Sequence, residues 1–302
     1  MVFWHGNSVS NSKNILMSGV TRRKESSSHK VKGKKEFQVF LDMPYIRSSY
    51  MGTGKLKGKA SIITGGDSGI GRAIAVHYAR EGARIAIVYL RNEGDARETQ
   101  DMVKSEGAEC LLFRGDISMQ AFCNKVVQRT YDVFGSLDIL VNNAGTHVDS
   151  PDVKEITQKQ IIRTFSVNIF PCFYFTQAAL KKMKKGGVII NTASVVAYRG
   201  SPHLLDYSAT KGAIVTFTRS LAESLAEKKI RVNGVAPGPV WTPLSVYSFT
   251  RKHLKKFGQE TLMKRAGYPH EIAPAYVWLA CEESSFITGQ VIHINGGDMV
   301  NG

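Results

Sequence analysis

Ala60-Ser61-Ile62-Ile63-Thr64-Gly65-Gly66-Asp67-Ser68-Gly69-Ile70-Gly71-Arg72-Ala73-Ile74-Ala75-Val76-His77-Tyr78-Ala79-Arg80 is the stretch that decides the fold. Its first five residues are apolar and β-prone. Residues 65–71 are rich in glycine. The remainder is built of helix formers, with Ile70, Ile74 and Tyr78 four apart on one face. Strand, glycine turn and helix in that order form the context in which a dinucleotide phosphate is bound. Glycines let the backbone approach a pyrophosphate closely, and the helix N-terminus offers unpaired N–H groups and the positive end of the dipole. Gly66-Asp67-Ser68-Gly69 also resembles the nucleophile loop of a serine protease. Its place at the head of a helix in a βα unit sets that reading aside.

Outward from this turn the chain alternates. Residues 84–90, 110–114, 137–142, 188–194, 231–236 and 290–294 read as strands. Helices are expected near 95–105, over 158–183 as one long element, and over 206–227. Near-continuous apolar strands alternating with helices imply an α/β fold, a single Rossmann-like doubly wound parallel sheet with helices on both faces. Ligands in such sheets bind beyond the carboxyl ends of the strands. Gly65–Gly71, Asp116, Asn142–Gly145, Ser194 and Pro237-Gly238 all fall at that edge and should line one crevice.

Tyr207 and Lys211 lie four apart in a predicted helix, and so on one face one turn apart. A free tyrosine titrates near pH ~10 and exchanges protons poorly at neutral pH. A nearby ammonium favours the phenolate, and a shift of about three pK units corresponds to about 4 kcal/mol. Ser194, thirteen positions upstream, ends an apolar run from which a hydroxyl can hold a substrate oxygen. The three form a candidate acid/base centre for chemistry at a carbonyl or alcohol. The same Tyr–Lys spacing also occurs as a plain surface pair.

The pattern TGxxxGxG from Thr64 to Gly71, Asn142-Asn143-Ala144-Gly145, Ser194, and Tyr207 with Lys211 occur in one order. Together they resemble the short-chain dehydrogenase/reductase family, over roughly Leu56 to the C-terminus. The strings from Gly65 to Gly71, Ser201 to Tyr207 and Ala236 to Pro243 are similar to a subgroup with bacterial general stress proteins and plant glucose/ribitol dehydrogenase homologues. The resemblance implies an NAD(P)-dependent oxidoreductase passing hydride between nicotinamide and a carbonyl or secondary alcohol. It implies Tyr207 as acid/base, Ser194 on the substrate oxygen, Lys211 also on the nicotinamide ribose, and Asn168 as a fourth catalytic residue holding a relay water. Asn168 otherwise reads as a core residue bonding backbone. The implied cofactor contacts are Gly65, Asp67, Ser68, Gly69, Ile70, Gly71, Ala144, Gly145, Pro237, Gly238 and Val240. Asp116 is the implied adenine contact, though an Asp there also suits a helix cap. Thr242 is expected on the carboxamide, and Asn142 between the central strands beside the cofactor. His203, just before the catalytic helix, is left outside the catalytic set. A homo-tetramer through helices near 158–183 and 206–227 is also implied.

Charge argues for the cofactor. An acid at the end of the second strand bonds the adenine ribose in NAD-preferring enzymes. Here that place falls near Tyr89, Leu90 and Arg91, with Glu93 close by. Arg72 and Arg91 are candidates to receive a 2′-phosphate, so NADP(H) is expected over NAD(H). The basic loop 243–267 should face substrate, either as a solvated lid or as a partner for an anionic or polyol compound.

The chain has 302 residues, 43% hydrophobic and 22% charged, a composition suited to one large domain. Its net charge of +15 is uneven: residues 1–59 carry twelve Lys/Arg against three Asp/Glu. Residues 1–54 read as a basic, largely disordered extension before a domain at 55–302. A solvated tail, a transit peptide, a nucleic-acid or membrane-surface tail and an arm across a neighbouring subunit all fit that composition. No apolar run reaches about 18 residues, so no spanning helix is expected. Cys110, Cys123, Cys172 and Cys281 form no CxxC pair or metal spacing and read as buried thiols in a reducing compartment. The expected location is the cytoplasm, with organellar import through the basic N-terminus as the other reading. No metal and no nucleic acid are expected at the folded domain. A cofactor-binding sensor without turnover and a nucleic-acid binder acting through the arm are the competing functions.

Overall fold

The computed structural model describes residues 35–42 and 44–300. Seven strands form one parallel sheet: β1 Ala60–Thr64, β2 Arg84–Tyr89, β3 Cys110–Arg114, β4 Ile139–Asn142, β5 Val188–Thr192, β6 Arg231–Pro237 and β7 Val291–Ile294. Their order is β3-β2-β1-β4-β5-β6-β7. The order reverses between β1 and β4, where Ser61 pairs with Ile139 and Ile63 with Val141. Crevices for ligands open at such a switch point.

Among the described residues, eight helices of six residues or more cover the two faces or the carboxyl edge: α1 Gly69–Arg80, α2 Glu93–Ser105, α3 Gln120–Phe134, α4 Gln158–Asn168, α5 Phe170–Ala179, α6 Leu205–Leu225, α7 Pro243–Ser248 and α8 Pro269–Ala280. Strands buried on both faces need apolar side chains in both directions, and all five residues of β1 and of β5 are buried. Ile63, Ile85 and Ile87 pack with Ile74, Tyr78, Ile272 and Tyr276 on one face. Ile62, Leu140 and Ile189 pack with Val126, Phe175 and Leu225 on the other. Two covering helices, α3 and α8, were not among the expected elements.

The single long helix expected over 158–183 is two. α4 ends at Asn168 and α5 begins at Phe170, with Pro171 in its first turn. Proline cannot donate the helical hydrogen bond, and its ring clashes with the preceding turn. Asn168 is therefore a helix-end residue rather than a mid-helix one.

Residues ahead of the expected boundary at 55 also pack on the domain. Described residues ahead of 55 belong to the same compact unit as the sheet. Residues 35–54 are tied down by aromatic anchors. Phe37 is buried, Tyr45 lies under the Arg72 guanidinium at 4.8 Å, and the Tyr50 hydroxyl donates to Glu81 at 2.6 Å. Backbone N–H groups of Thr53 and Lys55 donate to the same carboxylate. Residues 1–34 of the expected extension lie outside the described residues.

Candidate active site

A cleft of about 600 Å³ runs along the carboxyl edge of the sheet. Its floor is the glycine turn. Gly65 (φ 64°) and Gly69 (φ 52°) adopt backbone that side chains disfavour. A Cβ on Gly71 would sit 2.0 Å from the Gly65 carbonyl oxygen, so this glycine lets α1 close against the turn. Ser68 precedes α1 without a side-chain capping bond, leaving the first-turn N–H groups without a side-chain acceptor. The turn is braced from below, where Thr64 Oγ1 accepts from the backbone N–H of Asn143 (2.9 Å) and Ala144 (3.0 Å). Asn143 Nδ2 donates back to the Thr64 carbonyl at 3.0 Å.

Asp67, Ser68, Ile70, Asp116, Ala144 and Gly145 line the cleft with Gly65 and Gly69, as do Pro237, Gly238, Val240 and Thr242. Three expected contacts are placed differently. Gly71 lies behind the turn. Asn142 donates from Nδ2 to Asn191 Oδ1 at 2.9 Å, joining β4 to β5 beneath the wall. Its strand-bridging role holds, while Asn143 takes its expected place in the wall.

Arg72 is the third. Its guanidinium is buried and turned away from the cleft. It donates to the Asp67 and Asp95 carbonyls, Thr99 Oγ1 and Glu98 Oε2. With those bonds made it fastens α2 to the glycine turn and is not presented to a phosphate. Arg91 does face the cleft, with Asn92 beside it. Glu93 is drawn off, accepting from the Tyr89 hydroxyl and pairing with Arg97 at 2.9 Å. Asp116 lines the cleft, accepts from Ser118 N (2.9 Å) and pairs with Arg163 (3.0 Å), but it does not cap the following helix, whose N-cap is Met119.

Ser194, Tyr207 and Lys211 all line the same cleft, with the Tyr207 phenol hydrogen-bonded to Ser194. Lys211 Nζ lies 5.4 Å from the Tyr207 ring centroid and donates to the Thr192 carbonyl at 2.6 Å. Burial pushes the Tyr207 phenol up to about 12, and a hydrogen bond with Ser194 pulls the other way. Burial also pulls the Lys211 ammonium down to about 8. Desolvation, which disfavours the charged form of each group, dominates both shifts, and the expected lowering of Tyr207 by Lys211 is not among their causes. A phenol kept protonated at neutral pH is suited to donating a proton.

Asn168 works through position. Its Oδ1 accepts from Thr146 N at 2.8 Å, and its Nδ2 donates to the Thr146 carbonyl at 2.9 Å and to Thr210 Oγ1 at 3.0 Å. The space beside Gly145 is bordered by Asn168 Oδ1 at 3.5 Å and Lys211 Nζ at 3.7 Å from where its Cβ would be. Helix α4, the β4 loop and α6 are thereby joined at one residue.

The outer end of the cleft draws on the expected loop 243–267, but its rings and His147 were not singled out from sequence. His147, Phe249, His253 and Phe257 line it. His147 contacts the Tyr207 ring edge-on at 5.2 Å, and neither of its ring nitrogens has a hydrogen-bond partner among the described residues. Burial holds its pKa down to about 4. His203 lines the cleft with Nδ1 3.4 Å from Asp149 Oδ1. The spacing of four from 249 to 253 to 257 was the available signal.

The family profile described as enoyl-(acyl carrier protein) reductase matches residues 65–298. General stress protein 39 of Bacillus subtilis (strain 168) is 51% identical, with 85% of this chain and 90% of the relative covered. NADPH-dependent aldehyde reductase 1, chloroplastic, of Arabidopsis thaliana is 50% identical, with 88% and 95% covered. Glucose and ribitol dehydrogenase of Daucus carota is 48% identical, with 84% and 89% covered. A short chain dehydrogenase from Burkholderia cenocepacia J2315 in complex with NADP superposes with a TM-score of 0.77 at 30% identity, covering 81% of this chain and 99% of that one. A 3-ketoacyl-(acyl-carrier-protein) reductase from Brucella melitensis complexed with NADH gives 0.75 at 32%, covering 81% and 100%.

Proposed function

This chain belongs to the short-chain dehydrogenase/reductase family of NAD(P)-dependent oxidoreductases, and we propose that it reduces a small aldehyde or ketone with NADPH. The observation that carries the reading is the meeting of Ser194, Tyr207 and Lys211 in the cleft that the glycine turn floors. The residues present fit a nicotinamide dinucleotide. A close-approach turn and an uncapped helix N-terminus suit its pyrophosphate, and Asp116 and Ile117 suit its adenine end. Ala144, Gly145, Pro237, Gly238, Val240 and Thr242 lie along the rest of the wall. Bound there, the reduced cofactor supplies the hydride.

The chain's own part is proton transfer and orientation. Ser194 orients the carbonyl oxygen. Tyr207 donates its phenolic proton to that oxygen as it gains charge. Lys211, held by the Thr192 carbonyl, stabilises the phenolate left behind, and Asn168 keeps the route past Gly145 open for a water that returns the proton. Arg91 at the cleft, with Glu93 engaged by Tyr89 and Arg97, supports NADPH over NADH. The relative named as an NADPH-dependent aldehyde reductase points the same way. The sugar named for the carrot relative makes aldehydo-sugars part of the substrate class to test.

Exposed Phe170 and Phe173, with Ile161 and Ile162, lie on α4 and α5 and support the homo-tetramer. Four free, buried cysteines support a reducing compartment such as the cytoplasm. No helix among the described residues is long and apolar enough to cross a membrane.

The test follows absorbance at 340 nm with NADPH or NADH against aldehydes, ketones and keto-sugars, with Tyr207→Phe alongside. Turnover lost in Tyr207→Phe and faster with NADPH upholds the reading. Tight cofactor binding with no turnover on any carbonyl replaces it with a sensor that binds cofactor without reacting.

A further inference from the structure

Phe37 and Phe40 belong to a segment ahead of the sheet, yet they stand at the head of a run of ring contacts that ends on Tyr207. Phe40 stacks on Trp241 at 4.3 Å with the planes 8° apart, and Phe37 lies 6.1 Å from the same indole. Trp241 meets Phe257 edge-on at 5.0 Å. Phe257 lies 5.8 Å from Phe249, and Phe249 stacks on His253 at 4.3 Å. Phe249 lies 5.2 Å from His147, and His147 lies 5.2 Å from Tyr207. Phe249, His253 and Phe257 line the substrate end of the cleft.

A second tie joins the same two segments. Glu36 forms a two-pronged pair with Arg251, the first residue of the helical turn Arg251–Leu254. The lid is anchored at its base as well, because Trp241 N donates to the Gly267 carbonyl at 3.0 Å and Gly267 N to the Pro239 carbonyl at 2.9 Å. Phe37, Trp241, Val246, Phe249, Leu254 and Ala266 form an apolar cluster of their own, apart from the packing on the sheet faces. The lid therefore rests on the N-terminal segment as much as on the sheet.

We propose that residues 36–41 are a strap that positions the lid over the substrate, with Phe37 and Phe40 as positioning residues that set how tightly the carbonyl compound is held. The inference rests on the reductase reading of the cleft. It assigns specificity to a segment far from the motifs, acting through Trp241 on Phe249 and His253. Among the described residues no ring contact joins the strap to the glycine turn, Arg91 or Asp116, and Trp241 touches the cofactor wall only through its chain neighbours Val240 and Thr242, so the larger effect falls on substrate rather than on NADPH.

The experiment uses the full chain carrying Phe37→Ala with Phe40→Ala, and Phe40→Tyr as the conservative variant. Hydrogen exchange read by mass spectrometry should quicken over residues 243–257 in the double variant while β1 stays protected. KM for an aldehyde substrate should rise about tenfold with kcat within about twofold, and the dissociation constant of NADPH should stay within about twofold. Phe40→Tyr should restore the parent values. Unchanged exchange over 243–257, or losses shared equally by β1 and NADPH, would overturn the strap. Should the double variant not fold, Glu36→Arg and its pairing with Arg251→Glu take its place. The single change should quicken lid exchange and the pair restore it; no restoration overturns the proposal. Exchange is read without turnover, so a protein that reduces no carbonyl yet shows the lid response would retire the reductase reading and leave the strap standing.

Discussion

The two ends of the cleft are made from different materials. The end proposed to hold the cofactor is backbone: a glycine turn, a helix N-terminus and the β4 loop, locked by bonds such as those of Thr64 and Arg72. The end proposed for substrate is side chain: aromatic and histidine rings of the 241–257 segment, packed against Phe37 and Phe40. Backbone geometry tolerates almost no substitution, because a single Cβ meets main-chain atoms. Ring packing tolerates exchange of one ring for another. A common cofactor can thus be held by a fixed turn while the substrate is chosen by replaceable rings.

That contrast can be broken first where the ends meet. Tyr207→Phe should lower kcat about 10³-fold, as expected for loss of a general acid, while NADPH titration by fluorescence stays near the parent value. A large loss of cofactor binding in this variant would mean the ends are not separable. Gly71→Ala comes next. Its methyl group has no room against the Gly65 carbonyl, so denaturant unfolding should show a loss of about 2 kcal/mol or more together with weakened binding of both NADPH and NADH. Substrate KM is the control here and should move less.

Arg91→Ala sharpens the comparison within the cofactor end. Removal of a charge-assisted contact should weaken NADPH about tenfold and leave NADH almost unchanged, as calorimetric titration would show. Equal weakening of both would assign Arg91 to the shared part of the dinucleotide. A smaller effect is expected from pH. Lys211 has its pKa lowered to about 8 by burial, so it is charged below that value and neutral above it. The reduction rate should hold across neutral pH and fall as pH rises through about 8, whereas NADPH binding at the phosphate end should not follow that titration.

The same division explains what could be read from the chain alone. β1, β3 and the glycine turn were legible because short apolar runs and glycines leave local traces. Ser194, Tyr207 and Lys211 were legible because spacing and order single them out. Arg72 was misplaced because its nearness to the turn in sequence says nothing of the direction it faces. The acceptors that draw it inward, at Asp95, Glu98 and Thr99, lie a helix away. The break at Asn168 was written in Pro171 and passed over in favour of the apolar pattern around it. Phe37 and Phe40 carry no local mark at all, since their meaning lies in Trp241, two hundred residues on.

One polar thread through the core bears on the order in which the protein is made. The Tyr78 hydroxyl donates to the Tyr276 carbonyl at 3.0 Å, and the Tyr276 hydroxyl bonds Thr192 Oγ1 at 2.7 Å. The Thr192 carbonyl then holds Lys211 Nζ. Synthesis proceeds from the N-terminus, so a nascent chain that has emerged through α6 already carries Ser194, Tyr207 and Lys211 but not yet the tyrosine that braces Thr192. Completion of the proposed centre thus waits until α8 is made, and a chain cut short before α8 would carry Ser194, Tyr207 and Lys211 with their scaffold missing.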